Sequence, residues 1–97
     1  MATYIILANF TDQGIRNVKD TVKRSEAFKE MAGKKDVKVR DLFWTLGAHD
    51  VVCIADAPND EAITAMGLML GTQGNVRTQT LRAYNASEIG KILGKMA

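Results

Sequence analysis

The chain alternates apolar segments of strand length with segments whose apolar residues recur at helical spacing. Residues 3–10 are apolar on both faces of an extended chain, which predicts an interior strand. From residue 13 to residue 33, we expect one helical stripe of apolar side chains, with Arg24 and the other charged residues away from it. The stripe consists of Ile15, Val18, Val22, Phe28 and Ala32. Thr11 or Asp12 suits the start of this helix and Gly33 suits its end.

The second half of the chain repeats the order strand, helix, strand. Residues 50–57 predict a second interior strand, reached from the strand before it through the short Gly47-Ala48-His49-Asp50 corner. The helix that follows is apolar almost all round, so we expect it to be covered. The other predicted elements are strands at 37–46 and 75–84, a helix at 60–72, and a short helix at 88–95 with Ser87 as its cap and Ile89, Ile92 and Leu93 against the body.

Two strand-helix-strand units with right-handed crossovers predict a four-stranded antiparallel sheet. Its first and third strands lie inside, and both helices cover one face. The sequence thus predicts an α+β, ferredoxin-like βαββαβ fold with an added short C-terminal helix, as one domain over residues 1–97.

Helices on one face leave the other face of the sheet uncovered, and the strands are apolar enough to make that face prone to association. An exposed apolar face of several hundred Å² usually marks an interface. We therefore expect a homodimer joined sheet to sheet, a dimeric α+β barrel, with further homo-oligomerisation open. The face is expected to carry Ile5, Leu7, Phe43, Val52, Ile54 and Leu81, or their alternate neighbours.

Composition narrows the classes of protein and of site. No apolar run approaches the roughly 18 residues of a membrane span, and the first residues lack the features of a signal peptide. We therefore expect a cytoplasmic protein with no membrane partner. Cys53 and His49 are the sole residues of their types, too few for a structural zinc site, and the sequence predicts no metal and no cofactor.

Charge is unevenly distributed along the chain. Residues 16–40 hold nine Lys or Arg against four acidic residues, whereas residues 41–76 hold five acidic residues and no Lys or Arg. Such segregation either orients copies of the domain against each other or reflects a solvated basic helix beside an acidic loop. The cations of the first helix alternate with acids and accompany no recognition motif, so we expect no nucleic-acid partner.

Few residues of the chain have the chemistry of a reactive group. His49 beside Asp50 is the first catalytic candidate, because a carboxylate near an imidazole raises its basicity, although both residues also suit a turn. Trp44 and Asn9 are further ligand-binding candidates, with Trp44 either lining an aromatic pocket or serving as core or interface. Cys53 is predicted to be a small core residue with a raised pKa.

Three segments stand out, namely Tyr4-Ile5-Ile6-Leu7 with Thr11-Asp12-Gln13-Gly14, Gly47-Ala48-His49-Asp50, and the run from Gly74 to Ala83. Together they resemble the GYD-domain family of small prokaryotic proteins, and the resemblance runs over nearly the whole chain. Its namesake corner carries Gly, a variable residue, Tyr and Asp, so Gly47 and Asp50 match and His49 replaces the Tyr. The resemblance implies a ferredoxin-like dimeric barrel and carries no established biochemical activity.

Two functions follow from these patterns. The first is a non-catalytic module that assembles with itself and binds a small ligand or another protein. The second is a cofactor-independent oxygenase or isomerase of the dimeric-barrel type, acting on a small aromatic or oxygenated compound. The second function requires a cleft between sheet and helices with His49, Trp44 and Asn9 near it, so a pocket with converging polar groups separates the two.

Overall fold

The computed structural model describes residues 1–96 and has the expected α+β, ferredoxin-like architecture. Ala97, the last residue of the expected domain, lies outside the described residues. Predicted strand ends differ from the observed ones by one or two residues. The elements are β1 (Ala2–Phe10), α1 (Asp12–Arg16), a 3-10 turn (Val18–Asp20), α2 (Thr21–Lys34), β2 (Lys38–Trp44), β3 (Val51–Ala57), α3 (Asp60–Thr72), β4 (Val76–Ala83), α4 (Ala86–Leu93) and a 3-10 turn (Gly94–Met96).

The four strands form one antiparallel sheet in the order β2-β3-β1-β4. The two interior strands are therefore the two most apolar ones, as their sequences predict. Across β1, Ile5 pairs with Ile54 on one side and Leu81 on the other. A bulge at Arg40 shifts the register of β2 against β3, and the Arg40 guanidinium lies 3.0 Å from the Asp56 carboxylate.

The core lies between the sheet and the helices α2 and α3. Alternate residues of β1 and β3 are buried against the helices, whereas the residues between them are half-buried on the other side of the sheet. We call this second side the open face, and it carries Ile5, Leu7, Phe43, Val52, Ile54 and Leu81. The buried core cluster consists of Tyr4, Ile6, Phe28, Ala32, Val37, Cys53, Ala55, Ala57, Ile63 and Met66.

The predicted continuous helix at 13–33 is wrong, because the chain breaks at Asn17. The Asn17 side chain donates to the Gln13 carbonyl, 3.0 Å away, which is the local bonding by which asparagine competes with a helix. The break resets the helical phase, so α2 buries Phe28 and Ala32 while Ile15 and Val22 are 53% and 58% exposed. The predicted stripe was therefore wrong in its first half.

Two predicted helix caps are also corrected. Gly33 lies inside α2, and the chain reverses instead at Asp36, whose φ is 62°; aspartate tolerates this left-handed conformation better than most residues. The last helix begins two residues early, because Asn85 rather than Ser87 caps it. The Asn85 side chain accepts from the Glu88 amide at 2.8 Å, and the Glu88 carboxylate accepts from the Asn85 amide at 3.0 Å.

The C-terminal helix α4 leaves its apolar side chains largely uncovered. Its apolar residues were predicted to lie against the body, but Ile89, Ile92 and Leu93 are 40%, 40% and 56% exposed. These three residues follow i, i+3, i+4 spacing, so they form one uncovered stripe. Among the helices of residues 1–96, none is both long and apolar enough to cross a bilayer.

Candidate functional site

The corner between β2 and β3 is fastened to the end of β1 by Asp50. Its carboxylate accepts a hydrogen bond from the Phe10 amide at 2.9 Å, and its own amide donates to the Ala8 carbonyl at 2.9 Å. Gly47 has a φ of 106°, which favours glycine at this position. The Asp50 carboxylate therefore holds backbone in place.

His49 pairs with Asn9 rather than with Asp50. Its Nδ1 lies 3.0 Å from the Asn9 Oδ1, and the Asn9 amide nitrogen donates to the Ala48 carbonyl at 2.7 Å. Because the Asn9 oxygen faces the imidazole, Nδ1 donates this bond and Nε2 is left for other contacts. Neighbouring strand residues point to opposite faces, and Ala8 and Phe10 both line the helix side, so Asn9 and His49 belong to the open-face side.

A cleft of about 90 Å³ opens between the sheet and the two helices, near the ends of β1 and β2. A buried water needs roughly 10–15 Å³ in this measure, so the cleft has room for several waters or a small organic group. One face of α2 supplies Thr21, Arg24, Ser25 and Phe28 at i, i+3, i+4, i+7 spacing. The remaining lining residues are Ile6, Ala8, Phe10, Leu42, Trp44, Val51, Cys53, Leu70, Gln73, Asn75 and Val76.

Trp44 stands at the rim of this cleft and is fixed by its indole. The indole N–H donates to the Thr21 hydroxyl at 3.0 Å, which ties β2 to the start of α2 across the cleft. Trp44 therefore lines a cleft together with Phe10. The sequence had left two placements open for Trp44, an aromatic pocket and a core or interface position. Phe43, one residue earlier, points to the open face instead.

The cleft has a nearly neutral interior. Burial raises the pKa of the Cys53 thiol to about 11, so the thiol stays protonated at neutral pH and is a poor nucleophile, as predicted. Arg24 is half-buried at the edge and donates one N–H to the Asn17 carbonyl at 2.7 Å. Within residues 1–96, no group of three His, Cys, Asp or Glu side chains is placed to hold a metal ion.

The structure thus places the candidate site residues of the sequence analysis in two different locations. Trp44 lines the cleft, whereas Asn9, His49 and Asp50 do not and instead join the corner to β1. Sequence reasoning missed Arg24 as a cleft residue, because it grouped Arg24 with the charged residues that lie away from the apolar stripe. The signal was its spacing, since Arg24 lies four residues before Phe28 and so shares the same face of α2.

A second polar cluster joins α3 and α4 to the sheet. The Tyr4 hydroxyl donates to the Asp60 carboxylate at 2.5 Å, and this bond, with burial, raises the Tyr4 pKa. The Arg82 guanidinium lies 4.4 Å from the Tyr84 ring centroid and 3.6 Å from the Glu88 carboxylate. This cluster anchors the start of α4.

A family comparison agrees with the fold and with the corner. The family model described as GYD domain matches residues 4–93. The chain belongs to the GYD domain family. In this GYD chain, two residues of the corner match the family motif, Gly47 and Asp50, and both act on the backbone of the corner. His49 occupies the third position of the motif.

Two proteins from Thermus thermophilus are similar to this GYD chain. One, named glutamine synthetase and cystathionine beta-lyase binding protein, is 29% identical over 90 residues, covering 92% of this chain and 95% of that protein. The other is TTHA0845, whose crystal structure superposes on this chain with a TM-score of 0.56 at 22% identity. The match covers 89% of this chain and 96% of the TTHA0845 chain. The second likeness concerns the fold alone.

Proposed function

We propose that this GYD chain is a non-catalytic binding module that pairs with a second copy of itself and binds another protein. The observation that carries the proposal is apolar surface left uncovered on the open face and along the stripe of α4. Monomeric proteins rarely expose large contiguous apolar patches, and such patches mark interaction sites.

The open face supports self-association by its size and its arrangement. Four strands about 4.8 Å apart, each about seven residues long at roughly 3.3 Å per residue, make a plane of roughly 440 Å². Its centre is apolar, because Leu7 pairs with Val52 and Ile5 pairs with Ile54 on neighbouring strands. Phe43 is still 54% exposed there. A two-fold axis would place one such apolar centre on another.

Polar residues border that apolar centre, as expected of a protein interface. Arg40 and Asp56 form an ion pair at 3.0 Å at one end of the face, and the Asn9–His49 pair stands at the other. In a sheet-to-sheet dimer these groups stay near solvent at the margin. His49 then serves the rim of the assembly, in line with the corner's attachment to β1.

The stripe of α4 supports the binding of another protein. An amphipathic helix that lays i, i+3, i+4 apolar residues into a groove is a common recognition mode, and Ile89, Ile92 and Leu93 have that spacing and are 40–56% exposed. The Thermus relative named as a binding protein for two enzymes lends support to protein partners. We therefore propose glutamine synthetase or cystathionine beta-lyase as the partner of this chain.

Titration calorimetry with each enzyme, taken from the same organism as the chain, tests the proposal. We expect saturable binding to at least one enzyme, weakened by Ile92→Glu because a charge replaces an apolar contact in the groove. Ser87→Glu, which adds the same charge to an exposed residue of the same helix, should bind like the original chain. Absence of heat and of complex with both enzymes would refute the partner assignment.

The oxygenase or isomerase alternative gains no support from the site. It needs polar groups that converge on a reacting atom inside the cleft, and His49 and Asn9 do not line the cleft. The Cys53 thiol is protonated at neutral pH, given its pKa of about 11. The cleft therefore has the features of a binding pocket.

A further inference from the structure

The cleft between the sheet and the helices combines apolar walls with one charged group. Its floor and sides are formed by Phe28, Leu42 and Cys53 together with neighbouring strand residues. Of the lining side chains within residues 1–96, Arg24 is the one that carries a charge at neutral pH. A ligand that fills the cleft therefore meets hydrocarbon walls and one cationic side chain, that of Arg24.

Arg24 faces the cleft because of the geometry of α2. It lies one turn after Thr21 and one turn before Phe28, on the face that closes over the sheet. Lys23, the preceding residue, is exposed on a different side of the helix. The difference between these two neighbouring cations gives the site a matched control.

The guanidinium of Arg24 has donors left for an anion. The hydrogen bond to the Asn17 carbonyl, at 2.7 Å, uses one terminal nitrogen. Within residues 1–96, the ion pairs join Arg40 to Asp56 and Arg82 to Glu88, so no carboxylate of the described chain neutralises Arg24. A planar fork of five N–H donors is suited to a carboxylate, which it binds through two parallel bonds.

We propose that the cleft binds a small aliphatic monocarboxylate, with the carboxylate on Arg24 and the hydrocarbon between Phe28 and Leu42. The size limit comes from the volume. An engineered cavity of about 150 Å³ in another protein holds benzene, whereas this cleft measures about 90 Å³. A space of that size takes a short hydrocarbon chain of about four carbons. The neutral Cys53 thiol places no opposing charge beside it.

The chain carries its own reporter for this site. Trp44 is the single tryptophan of the sequence, and it lies at the cleft rim with its indole bonded to Thr21. The intrinsic fluorescence of Trp44 therefore reports ligand binding in the cleft without an added label. Backbone amide shifts of Ser25 and Gln73, which also line the cleft, give a second and independent reading.

The experiment titrates the full chain with 3-methylbutanoate and with 3-methylbutanamide, which has the same shape and no charge. A ligand of about seven non-hydrogen atoms is expected to bind with a millimolar Kd, so the titration runs to about 50 mM. We expect a saturable change with the carboxylate and at least about tenfold weaker binding of the amide, because a charge-assisted pair is lost.

Variants of the two neighbouring cations complete the test. Arg24→Gln should weaken carboxylate binding by at least about tenfold, whereas Lys23→Gln should leave it unchanged. No saturable change in fluorescence or amide shifts overturns the proposal. Equal affinity for acid and amide also overturns it, because binding would then not depend on Arg24, and this comparison needs no variant to fold. These readings are separate from enzyme binding through α4.

Discussion

Gly14 is the position where a single methyl group should damage this fold most clearly. The residue is buried in α1, and a Cβ built on it would lie 1.9 Å from the Asn75 carbonyl oxygen and 2.9 Å from the carbonyl carbon. Carbon and oxygen normally approach to no less than about 3.2 Å. Gly14→Ala therefore forces α1 and the start of β4 apart by more than about 1 Å.

The contacts at this point determine the magnitude. The Thr11 amide donates to the Asn75 carbonyl at 3.1 Å, and the Thr11 hydroxyl donates to the Gly74 carbonyl at 2.5 Å. Overpacking typically costs about 1–3 kcal/mol, and each hydrogen bond lost or stretched costs about 1 kcal/mol. The free energy of unfolding should fall by about 3–5 kcal/mol, a large part of the stability of a domain this size.

Urea unfolding followed by far-UV circular dichroism measures this change. Gly33→Ala is the matched control, because Gly33 lies inside α2 and its Cβ would meet no atom within 4 Å. Alanine should stabilise that helix by about 0.5–1 kcal/mol. A Gly14→Ala protein within about 0.5 kcal/mol of the original chain would refute the packing of α1 on β4.

Three further predictions concern helix α4, the core tyrosine and the buried thiol. Asn85→Ala should lower the helicity seen by circular dichroism and lower the free energy of unfolding by about 1 kcal/mol, because the Asn85–Glu88 capping box is lost. Ser87→Ala should have little effect on either quantity. Equal effects of the two substitutions would contradict the cap. Tyr4→Phe should cost about 1.5–3 kcal/mol in urea unfolding, since the bond from its hydroxyl to the Asp60 carboxylate disappears, and an unchanged midpoint would refute that contribution. Because the pKa of Cys53 rises to about 11 on folding, the thiol of the unfolded chain ionises first, and the free energy of unfolding should fall as pH increases from about 9 toward 11. The free energy of unfolding of a Cys53→Ala protein should fall less over the same range. Identical pH profiles for the two proteins would contradict the raised pKa of Cys53.

The order of elements followed from the sequence because periodicity alone determined it. Apolar residues on both faces marked β1 and β3 as interior strands. The short corner at Gly47 marked β2 as the strand that precedes β3. The helix after β1 was mispredicted because Asn17 breaks it through side-chain bonding, which hydrophobic spacing does not record. Within α2, Val22 is exposed, whereas Arg24 lies one turn before Phe28 on the face that lines the cleft.

The candidate site was harder to predict from the sequence than the order of elements, because its contacts join residues that are distant along the chain. The pairing of His49 with Asn9 depends on residues 40 positions apart, and only the sheet register brings them together. The role of Asp50 likewise depends on the Phe10 amide. For Trp44, the sequence left a pocket and a core or interface position open, because strand spacing alone does not show which face of the sheet a side chain lines.

Pairing of two copies through the open face is the central claim, and light scattering after size-exclusion chromatography tests it directly. The chain has a mass of 10.6 kDa, and we predict twice that mass for the original chain. Leu7→Glu places a charge at the apolar centre of both copies, so the dimer should lose about 4–6 kcal/mol, a 10³- to 10⁴-fold rise in Kd, and run as a monomer. Leu68→Glu, at a residue of α3 that is 68% exposed and off the open face, should remain dimeric. A monomeric mass for the original chain, or a dimer unaffected by Leu7→Glu, would contradict the claim.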